Sequence, residues 1–148
     1  MDVQPDFADL LALFNEHNVE YVIVGGYALA FHGAPRFTGD LDILVRPERE
    51  NAERVVGALA AFGFGSLGLT AADFEEPEVV VQLGVPPVRI DLITSLSGVS
   101  CDQVFSQRTQ GAYGGIPVHF ISREHFVRNK RATARKRDLA DLEMLGED

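Results

Sequence analysis

Asp40 and Asp42 flank a leucine in the run DLDILV, whose alternate positions Leu41, Ile43 and Val45 are apolar. Strand side chains alternate between two faces, so this pattern buries one face and aims both carboxylates out of the other. Like charges held that close repel, and taking them out of water is costly. A hard divalent cation resolves the conflict, because magnesium accepts carboxylate oxygens and keeps other positions for substrate phosphate. The spacing alone is weak: the chain has five acid-x-acid pairs, and those at 48/50, 73/75, 76/78 and 141/143 read as solvated loops or helix faces. Only 40/42 sits in an apolar strand.

Two further features point to the same place. Gly25-Gly26 ends the apolar run VEYVIV (19–24) and opens a helical stretch. Backbone N–H groups there are free to meet an anion, and the missing side chains allow a phosphate close approach. In VRIDLIT (88–94), Val88, Ile90 and Leu92 share one face while Arg89 and Asp91 share the other. A neighbouring strand would bring Asp91 beside Asp40 and Asp42. Three carboxylates hold two divalent ions about 3.5–4 Å apart, an arrangement that stabilises attacking and leaving oxygens in phosphoryl displacement. Arg89 also reads as a simple ion-pair partner for one of these acids.

The elements that must position these residues follow from periodicity. Residues 3–17 carry Val3, Phe7, Leu10, Leu11 and Phe14 at helical spacing. Strands are predicted over 19–24, 40–45, 79–84, 88–94 and 116–121, with a hairpin turn at Val85-Pro86-Pro87. Helices are predicted over 27–33, 48–62, 122–130 (with Ser122 as N-cap) and 138–145. Residues 63–78 read as an irregular loop with one helical turn. Strands and helices mix without strict alternation, which predicts an α/β (α+β) fold: one domain over 1–148, a mixed sheet of about five strands, and flanking helices.

The chain has 148 residues, enough for one real core. Its one cysteine, Cys101, excludes a disulfide framework and a thiolate cluster, and fits a reducing compartment. Four histidines (17, 32, 119 and 125) lack zinc-ligand spacing. The acidic N-terminal stretch has no basic n-region and no apolar run reaches membrane-spanning length, so no membrane association and a cytoplasmic location are expected. Net charge is −9, yet residues 122–137 hold seven basic residues against one acid. A basic band on an acidic body predicts a local anion site rather than adhesion to a nucleic-acid duplex.

At these residues the chain resembles the nucleotidyltransferase superfamily with the polymerase-beta-like catalytic fold. The signature is a glycine pair, a gap, Asp-hydrophobic-Asp and a later strand acid, here Gly25-Gly26, Asp40-Leu41-Asp42 and Asp91. Within it, the chain is similar to small bacterial proteins related to the abortive-infection, AbiE-type toxins. Arg36, Thr38, Asp40 and Asp42 match their R-x-T-x-D-h-D, and Lys130, Arg135, Asp138, Leu139 and Asp141 match their C-terminal motif. Ala134 stands where those relatives carry glycine, which predicts a more continuous helix through 122–145.

The resemblance implies a metal-dependent enzyme moving a nucleoside monophosphate from a nucleoside triphosphate to an acceptor hydroxyl, with pyrophosphate released. Asp40, Asp42 and Asp91 would hold Mg2+ or Mn2+, as two ions, and Asp91 would help deprotonate the acceptor. Gly25 and Gly26 would cradle phosphates; Arg36, Thr38, Lys130 and Arg135 would contact them. The acceptor stays open among a small molecule, a protein and a tRNA end. So does a homodimer or partner protein completing the acceptor site. The alternative is a catalytically silent nucleotide- or partner-binding module of a toxin–antitoxin-like system.

Overall fold

The computed structural model describes residues 3–34 and 39–147. Six strands, β1 (Tyr21–Val24), β2 (Asp40–Val45), β3 (Val80–Val85), β4 (Val88–Ile93), β5 (Thr109–Tyr113) and β6 (Ile116–Phe120), form one mixed sheet in the order β3-β4-β2-β1-β6-β5. The pairs β1–β2, β3–β4 and β5–β6 are antiparallel, while β2–β4 and β1–β6 are parallel. The β-branched YVIV of β1 is buried at every position, as a central strand covered on both faces requires.

Helix α1 (Pro5–Glu16) starts at a proline and buries Phe7, Leu10, Leu11 and Phe14, the stripe its spacing predicts. Helix α3 (Arg49–Leu59) packs beside it and buries Ala52, Val55, Ala58 and Leu59. Together they cover the sheet face that receives Leu41, Ile43, Ile90 and Leu92, all essentially inaccessible. Each such side chain contributes about 1.5–3 kcal/mol on burial. Asn51 ties α3 to the sheet: its amide oxygen accepts from the Glu20 N–H at 2.7 Å, and its nitrogen donates to the Glu20 and Arg46 carbonyls at 3.0 Å. On the opposite face of β2, Asp40 and Asp42 stay partly accessible while Leu44 is buried.

Three elements depart from the sequence-based expectation. The sheet gains a sixth strand, β5, whose TQGAY lacks an apolar alternation. It lies at the sheet edge, and Gly111 is there for space, since a Cβ would stand 2.7 Å from the Phe31 ring and 2.9 Å from that of Phe120. Those rings stack with centroids 4.1 Å apart. Helix α4 (Cys101–Ser106), also unpredicted, is held by a capping box between Ser100 and Gln103. Helix α2 (Gly25–Phe31) begins on the glycine pair itself.

The C-terminal stretch is not continuous. Helix α5 (Arg123–Thr133), capped by Ser122, stops at Ala134 in the left-handed conformation (φ 48°, ψ 29°). Helix α6 (Lys136–Met144) restarts behind Arg135, whose backbone N–H donates to the Asp138 carboxylate at 3.0 Å. Ala134 thus keeps the break that a glycine would make, and the cap explains why: Asp138 fixes the new helix start regardless of what precedes it. Among the described residues, no helix is long and apolar enough to cross a membrane.

Candidate active site

Strand register assembles the acids. Parallel pairing of β2 with β4 sets Asp42 directly opposite Asp91, and Asp40 opposite Arg89. On the other side of β2, antiparallel pairing sets Val24 opposite Asp42, so Gly25 turns off the sheet against that carboxylate. Gly25 has φ +67°, and a Cβ there would collide with the Asp42 side chain. Only glycine meets both demands. Burial, then the neighbouring charges of Asp91 and Asp40 and a hydrogen bond with Asp91, push the Asp42 carboxyl up to about 6, with Lys130 working weakly the other way.

Arg89 shares the carboxylates' face of β4. Its Nε donates to Asp91 Oδ1 at 3.3 Å and its Nη2 to Asp91 Oδ2 at 3.2 Å, while Nε stands 3.9 Å from Asp40. Gln82, opposite Asp91 on β3, turns its amide oxygen to accept from Arg89 Nε at 3.2 Å and from Nη2. Arg89 therefore makes its ion pair inside the acid cluster.

A cavity of about 420 Å³ opens over these strands. Gly25, Gly26, Asp40, Asp42, Arg89 and Asp91 form one wall; Asn129 and Lys130 of α5, with Arg135 and Arg137, form the other. The break at Ala134 brings the two ends of α5 and α6 to this wall. Lys130 Nζ, nearly buried, reaches Asp138 Oδ1 at 3.1 Å and Asp141 Oδ2 at 3.2 Å. Arg135 grips the same Asp138, from Nε at 2.8 Å and Nη2 at 3.2 Å, and its own N–H donates to Asp138 Oδ2 at 3.0 Å. Burial works to raise the Asp138 carboxyl, but the hydrogen bonds from Arg135, Thr133 and Lys130 outweigh it and hold the group well below the usual carboxylate range.

Of the residues singled out in the sequence, Gly25, Gly26, Asp40, Asp42, Asp91, Lys130 and Arg135 therefore line one cavity. Arg36 and Thr38 lie outside the described residues. Asp141, grouped by its 141/143 spacing with solvated acids, is instead buried against Lys130. Arg137 and Asn129 are not distinguishable in the sequence, since neither sits in a periodic pattern that marks its facing; the helix break decides it.

The oxygen-only donor set suits a hard cation; burial first, and then the charges of Asp91 and Asp40, raise the Asp42 carboxyl, and a cation there would favour its ionised form. As they stand, no three His, Cys, Asp or Glu side chains among the described residues are set to clasp one. Asp91 is engaged by Arg89 instead.

Comparison with known proteins agrees with this architecture. A Thermotoga maritima protein described as a "putative nucleotidyltransferase" shares the fold (TM-score 0.61, 14% identity, 98% of this chain and 93% of the other covered). So does the antibiotic-resistance factor ANT(2″)-Ia in complex with adenylyl-2″-tobramycin (TM-score 0.58, 14% identity, 94% and 84% covered). The lincosamide antibiotic adenylyltransferase LnuA, lincomycin-bound, is similar over almost its whole length (TM-score 0.59, 13% identity, 99% and 98% covered). No curated protein matches the chain in sequence. The family model described as "Nucleotidyl transferase of unknown function (DUF2204)" matches residues 4–147. Because that match takes in both the glycine–aspartate wall and the basic wall facing it, the chain belongs to this nucleotidyl transferase family.

Proposed function

We propose that the chain transfers a nucleoside monophosphate from a nucleoside triphosphate to an acceptor hydroxyl, with Mg2+ or Mn2+ held by Asp40, Asp42 and Asp91. The observation that carries this reading is one cavity lined by Asp40, Asp42, Asp91 (paired with Arg89) and two glycines together with Lys130, Arg135 and Arg137. In the reaction, a bond forms between the acceptor oxygen and the α-phosphorus while the α–β phosphoanhydride bond breaks and pyrophosphate leaves. When bound, the metal supplies Lewis-acid polarisation of the phosphate and acidifies the attacking hydroxyl. Asp91 takes up the hydroxyl proton. Gly25 and Gly26 leave room for phosphate against the backbone. Lys130 and Arg135, fixed by Asp138, neutralise charge on the leaving phosphates, as phosphoryl transfer requires.

The acceptor is inferred from the neighbours. One is named for an adenylylated antibiotic and another as an antibiotic adenylyltransferase, which makes ATP and a small hydroxylated molecule the first pair to assay. The lone cysteine supports a reducing, cytoplasmic setting.

A second reading, a nucleotide-binding module without turnover, is favoured by the engagement of Asp91 with Arg89. The Asp42→Asn variant, which keeps shape and removes a charge, decides between them in a pyrophosphate-release assay. Metal-dependent turnover by the wild type that falls at least roughly a hundredfold in the variant supports the enzyme. Calorimetric binding of nucleotide with no pyrophosphate release under any acceptor supports the module.

A further inference from the structure

Arg89 stands in the acid cluster at a point where its charge and that of a divalent ion compete. Both of its engaged nitrogens lie within 3.3 Å of an Asp91 oxygen, and Asp40 is 3.9 Å away. A guanidinium and a doubly charged cation on the same pair of carboxylates repel, and in a half-buried cleft water screens that repulsion poorly. One must yield. The Asp91 side chain is 14% exposed on a sheet strand and has little freedom to follow a new partner. The Arg89 side chain is 33% exposed, opens on the cavity and turns on its own flexible stem.

We propose that Arg89 is an exchangeable counter-ion: it neutralises Asp91 and Asp40 in the absence of metal, and moves to the triphosphate when metal and nucleotide enter together. This rests on the nucleotidyltransferase reading above. The chemistry of the new partner favours the move, because a phosphate oxygen pair accepts the same two-pronged donation that a carboxylate does, with more charge behind it. Gln82 keeps an acceptor beside the guanidinium along the way. The device makes the two ligands cooperative. Metal alone must displace Arg89 with nothing to receive it, so it binds weakly; triphosphate receives Arg89 and so strengthens metal binding. By linkage, metal strengthens triphosphate binding by the same factor.

The test is Mn2+ binding to the whole chain, followed by electron paramagnetic resonance, with inorganic tripolyphosphate as a base-independent probe. Arg89→Met is expected to bind Mn2+ roughly tenfold more tightly than wild type without phosphate, and to gain less from tripolyphosphate. Arg89→Gln removes the charge but keeps hydrogen bonding; it serves as second variant where Arg89→Met folds poorly and is expected to tighten Mn2+ alike. Unchanged or weaker Mn2+ binding in the charge-free variants overturns the exchange and makes Arg89 a fixed orienting partner of Asp91. In that event, Mn2+ uptake with tripolyphosphate by wild type but not by Asp42→Asn leaves the metal reading standing. No Mn2+ uptake by wild type under either condition overturns both.

Discussion

Asp42 and Gly25 show how much one residue's place in a register decides. The alternation in DLDILV is legible without any structure, because an apolar face at every second position leaves the acids one direction to point. What periodicity does not tell is which strand lies alongside. That Asp42 meets Asp91 on one flank and Gly25 on the other depends on β2 sitting between β1 and β4. Gly25→Ala tests the corner directly. The added methyl meets the Asp42 carboxylate and forces a positive φ on a residue that resists it, so a stability loss of about 1–3 kcal/mol is expected. A urea melt measures that loss. Turnover measured where the variant is still fully folded is expected to fall as well, because the methyl displaces a carboxylate of the acid wall. Full turnover in the folded variant would separate the glycine from the site.

At the scale of elements, the helix break at Ala134 falls in the gap that periodicity leaves between 122–130 and 138–145, while the residue type at 134 argues against it. Alanine is a strong helix former, and its presence predicts continuity. The structure shows the local preference overruled by Asp138, which caps α6 and at the same time receives Lys130 and Arg135. A left-handed alanine costs more than a left-handed glycine, so Ala134→Gly is expected to stabilise the protein by about 0.5–1 kcal/mol despite glycine's greater unfolded-state entropy. Thermal melting would show it as a rise in Tm; a fall of similar size would mean that the break is not built on φ at residue 134. The edge strand β5 is illegible for a different reason. Its TQGAY has no alternation because its glycine accommodates two stacked phenyl rings, a long-range demand. The buried α1 stripe is legible from its helical period, and the four buried residues of β1 from a short continuous β-branched and aromatic run.

Across the whole molecule, two carboxylates pull stability in opposite directions with pH. Asp138 has a folded pKa below its unfolded value, so its pairing contributes fully above the ordinary carboxylate range and is lost as pH falls through the folded value. Asp42 has a folded pKa raised to about 6, so the native state binds more protons than the unfolded chain between about 3.8 and 6, and stability declines as pH rises through that window. The cost at neutral pH is about 3 kcal/mol, since each tenfold loss of carboxyl acidity on folding corresponds to about 1.4 kcal/mol. Without divalent metal, denaturant melts are therefore expected to find greater stability near pH 5 than near pH 7.5. Adding Mg2+ together with tripolyphosphate, which receives Arg89, is expected to recover stability at pH 7.5 and to do little at pH 5, where the Asp42 carboxyl is largely protonated. Equal stabilisation at both pH values would place the ion elsewhere.

The most direct measurement is a crystal structure with Mn2+ and a non-hydrolysable triphosphate analogue, with the ion located by its anomalous signal. Mn2+ is expected among the oxygens of Asp40, Asp42 and Asp91, with the phosphates between Gly25-Gly26 and Lys130. Mn2+ bound away from those three carboxylates, with the nucleotide bound in the cavity, would contradict the proposed metal site.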